Sequence, residues 1–61
     1  MNPEILERIE FYVVSTRRIS AIAARNLHEA GHHTLAGERD NEVAYADLIL
    51  RDLQGIAPNA A

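Results

Sequence analysis

Residues 2–31 read NPEILERIEFYVVSTRRISAIAARNLHEAG, and this stretch decides the fold. Asn2 suits an N-cap, Pro3 the first helical position, and Glu4 the positive end of a helix. After Pro3 no glycine or proline interrupts the run before Gly31. Apolar and small residues recur at spacings of three and four. Ile5, Leu6, Ile9, Tyr12, Val13, Thr16, Ser20, Ala23, Ala24, Leu27 and Ala30 share one face. Phe11-Tyr12-Val13-Val14 suits a strand locally, but the helical spacing around it prevails. A long helix over about residues 3–31 is therefore expected, stopped by Gly31, with His28, His32 and His33 near its negative end.

Residues 32–39 read as a connection containing Gly37. Asp40 or Asn41 then caps a second, shorter helix over about residues 40–54. Val43, Ala46, Leu50 and Leu53 form its inner face, and Gly55 ends it. Thr34 is a competing N-cap that lengthens this helix by a turn. Residues 56–61 are expected to be a flexible tail of the single 1–61 domain. The fold class is all-α, an antiparallel two-helix hairpin with unequal arms. At 1.5 Å per residue the arms are about 40–45 Å and about 20–25 Å long.

Unequal arms have a consequence. The shorter helix reaches only the C-terminal half of the longer one, whose inner face there is lined by Ser20, Ala23, Ala24 and Ala30. The bulky Ile5, Leu6, Ile9, Tyr12 and Val13 stay bare, and an exposed apolar patch marks an interface. These five are the expected dimer interface, in a homodimeric four-helix arrangement with two-fold symmetry. A second stripe, Phe11, Val14, Arg18, Ile22 and Arg25, runs along the opposite side, while Tyr45 and Leu48 lie off the inner face of the second helix. These seven are the expected partner-binding residues, because aromatic and arginine side chains commonly anchor interfaces; a wider dimer interface that uses both stripes is the alternative.

Composition narrows the class. Sixty-one residues make one domain, too small to bury a large core alone. The absence of cysteine excludes disulfides and thiolate metal sites and fits a reducing cytoplasm. A formal charge of −3 gives no general attraction to nucleic acid or anionic membranes. No apolar run approaches the length of a bilayer span, and with no basic or apolar stretch after Met1-Asn2-Pro3-Glu4 no secretion signal is expected. All six basic residues are arginine, which points to a GC-rich bacterial or phage genome.

Two resemblances bear on function. His28-Glu29-Ala30-Gly31-His32 is an H-E-x-x-H sequence and resembles the active-site motif of the membrane-anchored ATP-dependent zinc proteases. That resemblance implies His28 and His32 as zinc ligands and Glu29 as general base. The proteases also need a third ligand from a later helix, for which only Glu38, Asp40 or Glu42 is at hand, and a substrate cleft. Gly31 moreover ends the helix inside the motif. No catalytic residue, metal or other cofactor is therefore expected. In size and plan the chain is similar to the small hairpin dimers of the Rop type, which bind RNA hairpins. Arg17, Arg18 and Arg25 are the candidate basic patch, although Glu7, Glu10 and Glu29 are placed to pair with arginines along the helix. Ser15, Thr16 and Ser20 have no triad partners, and mid-helix hydroxyls commonly bond the preceding turn. The expected function is non-enzymatic: a cytoplasmic homodimer that regulates or inhibits a bacterial host protein. RNA binding is the alternative, zinc binding the second alternative, and no membrane partner is expected.

Overall fold

The computed structural model describes residues 2–60, with side chains placed through Ile56. It is an antiparallel hairpin of two helices, α1 (Pro3–Glu29) and α2 (His33–Ala60), and no strand occurs among the described residues. The start of α1 follows the capping chemistry. Asn2 is extended, and its Oδ1 accepts the Glu4 backbone N–H at 2.8 Å. Its carbonyl accepts from the Leu6 N–H.

The end of α1 is a Schellman turn. Gly31 has φ +85°, a left-handed conformation that glycine adopts without a Cβ penalty. The Gly31 N–H donates to the His28 carbonyl, and the His32 N–H donates to the Leu27 carbonyl at 2.8 Å. One more residue suffices to start α2, because the His32 carbonyl already accepts the Ala36 N–H.

Here the arms depart from expectation. They are nearly equal, 27 and 28 residues, not a long helix beside a short one. The connection is only Ala30-Gly31-His32, and residues 33–39, expected as loop, form the first two turns of α2. The reason is tertiary. Ala36 is completely buried and continues the Val43–Leu50 heptad seam by one repeat. Packing of that turn outweighs the roughly 1 kcal/mol helix penalty of Gly37. Gly55 likewise does not end α2. The tail expected over 56–61 is helical backbone as far as Ala60; Ala61 lies outside the described residues.

Equal arms cover the N-terminal half of α1. Leu6 and Val13 are buried in the seam between the helices, so they are core residues of the hairpin and not bare surface. The seam of α1 repeats every seven residues through Leu6, Val13, Ser20 and Leu27, and that of α2 through Ala36, Val43 and Leu50, with Ala24 and Ala46 alongside. A seven-residue repeat keeps one narrow stripe facing the neighbour. Its small members, Ser20, Ala24, Ala36 and Ala46, are its most deeply buried central positions and allow close approach. No helix of the described residues is long and apolar enough to cross a membrane.

Candidate functional site: two sides of one hairpin

The two sides of the seam differ in chemistry. On a helix, successive residues advance by about 100°, so the residues flanking the seam fall to one side or the other. Arg17 and His28 of α1, with Asp40 and Asp47 of α2, fall on one side and are joined across it. Arg17 Nε donates to Asp47 Oδ1, and His28 Nε2 meets Asp40 Oδ2 at 2.9 Å. His28 Nδ1 lies 3.0 Å from His33 Nδ1, with the ring centroids 5.3 Å apart. A neutral His28 that donates from Nε2 to Asp40 accepts at Nδ1 from His33; a doubly protonated His28 donates at both nitrogens.

The opposite side is apolar. Tyr12, Val13 and Thr16 of α1, with Asn41, Glu42, Tyr45, Ala46 and Ile49 of α2, line a groove of about 520 Å3. Tyr12 and Tyr45 flank it and are 71% and 67% exposed. Ile9 and Ile5 continue this side along α1, one and two turns before Tyr12, and both are exposed. The charged group among the groove-lining residues is Glu42, and it is compensated. The buried Ser20 hydroxyl donates to Glu42 Oε2 at 2.7 Å, and Arg39 Nη1 donates to the same oxygen at 3.1 Å. The Ser20 hydrogen bond, with Arg39 adding its charge, holds the Glu42 carboxyl below the usual carboxylate range, against a smaller opposing effect of burial.

Comparison with protein-family models, with curated proteins and with solved structures finds no match. The geometry therefore carries the functional argument alone.

The expected site residues divide as follows. Of the expected dimer residues, Leu6 and Val13 sit in the intramolecular seam, whereas Ile5, Ile9 and Tyr12 are exposed. Of the expected partner stripe, Phe11, Val14, Ile22, Arg18 and Arg25 are all exposed on the side of α1 remote from α2, and Phe11 is 75% exposed. Arg18 and Arg25 make no ion pair among the described residues, while Arg17 is tied to Asp47 and not to a glutamate of its own helix. Tyr45 lines the groove with Tyr12, so it belongs with that side and not with Phe11. Leu48 is exposed on α2.

The H-E-x-x-H residues are not arranged as the protease resemblance implies. His28 closes the last turn of α1, but His32 lies beyond Gly31 and outside both helices. The i, i+4 geometry is lost, and both His28 ring nitrogens already face other groups. Among the described residues, no cluster of three or more His, Asp or Glu side chains is placed to hold a metal ion. Of the His28–His33–Asp40 grouping, the sequence offers Asp40 only as one of three carboxylates near His28, and His33 joins it because of how tightly the chain turns at Gly31.

Proposed function

We propose that this chain is a non-enzymatic protein–protein interaction module, a small phage or bacterial regulator or inhibitor that binds a host protein as a homodimer in the bacterial cytoplasm. The observation that carries this reading is the exposed stripe on the outer side of α1. Phe11, Val14 and Ile22 make it apolar, and Arg18 and Arg25 lie free among them. Glu7 and Glu10 stand beside Phe11 and Val14, so the stripe is acidic towards one end and basic towards the other. An aromatic residue and unpaired arginines on one rigid helix face are the composition of interface anchors.

Affinity capture from a bacterial lysate, with unmodified protein and with Phe11→Ala and Arg18→Glu in parallel, tests the assignment. A specific partner that both variants lose, with helicity unchanged by circular dichroism, supports it. Equal capture by all three proteins contradicts it. A Rop-type RNA-binding reading is the alternative, favoured by the near-equal helices and the two free arginines. A salt-dependent gel shift with RNA hairpins, lost in Arg18→Glu, would replace the first reading with the second.

A further inference from the structure

The hairpin is one helix thick, with principal extents of 46 × 15 × 10 Å. Globular domains bury their apolar faces by packing one layer of secondary structure on another, and here the second layer is missing. The Cα radius of gyration is 14.1 Å, against about 10–11 Å for a compact domain of this length. The accessible surface is 4718 Å2, against about 4000 Å2 for a compact monomer of this mass. The surplus, roughly 700 Å2, is close to the roughly 800 Å2 that each partner contributes to a stable interface.

We propose that this surplus is the seat of a second copy of the chain, laid on the Tyr12–Tyr45 side about a two-fold axis. Two hairpins then close into a two-layered four-helix bundle. The patch is suited to meet itself. Each copy offers a groove and two exposed tyrosine rings on its flanks, and a two-fold axis sets the rings of one copy against the groove of the other. The side bearing Arg17–Asp47 and His28–Asp40 stays in water, where its charges need no desolvation. Glu42 enters the interface with Ser20 and Arg39 already bonded to it, and the incoming tyrosine hydroxyls are donors for its remaining lone pairs. The outer stripe of Phe11, Arg18 and Arg25 remains free in this arrangement. The inference rests on the interaction-module reading only for what that stripe does.

Sedimentation equilibrium on three proteins tests the seat. The unmodified chain is expected at twice its 6.8 kDa mass at micromolar concentration. Tyr12→Glu combined with Tyr45→Glu is expected to weaken association at least about 100-fold, while Phe11→Glu leaves it unchanged. If the double variant unfolds, intermolecular NOEs in a mixed labelled and unlabelled sample of unmodified protein decide the matter: contacts from the Tyr12 and Tyr45 rings to the other copy are expected. A monomeric unmodified chain, or a dimer whose intermolecular NOEs arise from Phe11 and Ile22, overturns the proposal. An intact dimer that captures no partner overturns the interaction reading of the outer stripe and leaves the seat standing.

Discussion

Ser20 on α1 donates its hydroxyl proton to Glu42 on α2 across the centre of the hairpin, 2.7 Å from oxygen to oxygen. This ties a fully buried small side chain to a carboxylate at the edge of the apolar groove. The folded state thereby favours the ionised Glu42, whose pKa lies below its ordinary value. A depressed carboxylate pKa adds stability that is complete above the ordinary carboxylate range and is lost as pH falls through the lowered folded value. Ser20→Ala is expected to shrink this acid-side loss, measured as the difference in urea midpoint between neutral and acidic pH. An unchanged pH dependence in Ser20→Ala would show that the hydrogen bond does not set it.

The seam tolerates no bulk at its small positions. Ala36 is wholly buried, and Ser20 nearly so. Ala36→Leu forces the helices apart and is expected to lower stability by about 1–3 kcal/mol in denaturant unfolding. A neutral result would show that the helices are not closely apposed at that level.

Two glycines should respond in opposite directions. A Cβ at Gly31 or at Gly37 would meet no neighbouring atom, so only backbone conformation distinguishes them. Gly31 is left-handed at φ +85°, and Gly31→Ala is expected to cost about 1–2 kcal/mol. Gly37 is inside α2, and Gly37→Ala is expected to stabilise by about 0.5–1 kcal/mol. Thermal unfolding of the two variants reads both signs. Destabilisation by Gly37→Ala would mean that residues 33–39 are not helical.

These positions also show what the sequence could and could not reveal. The cap at Asn2 and the stop at Gly31 are local chemistry, and each stands where the residue types place it. The start of α2 is not local. Thr34 and Gly37 are weak helix residues, and their turn exists because Ala36 extends the seam by one heptad. A later start would shorten the second arm and leave Leu6 and Val13 bare, whereas both belong to the same heptad-spaced stripe as Ser20 and Leu27. The cross-helix partners of Arg17 and Ser20 follow only once register is set, and for His28 the sequence offers Asp40 only as one of three carboxylates within reach.

The histidines at the bend give a third contrast. His28 contacts both Asp40 and His33, whereas the His32 side chain makes no hydrogen bond, ion pair or ring contact among the described residues. His28→Ala is expected to lower stability by less than about 1 kcal/mol, since its partners are well exposed, and His32→Ala by nothing measurable. Isothermal titration with Zn2+ is expected to give no binding that requires both His28 and His32. Tight binding abolished by either single alanine variant would restore the protease-like ligand pair.

In the proposed arrangement this hairpin is half of a structure whose second layer is its own copy. The molar mass of the unmodified chain at sedimentation equilibrium tests it most directly. The expected result at micromolar concentration is twice the 6.8 kDa chain mass, with helicity and mass lost together on dilution. A stably helical species at 6.8 kDa over the same range would contradict it.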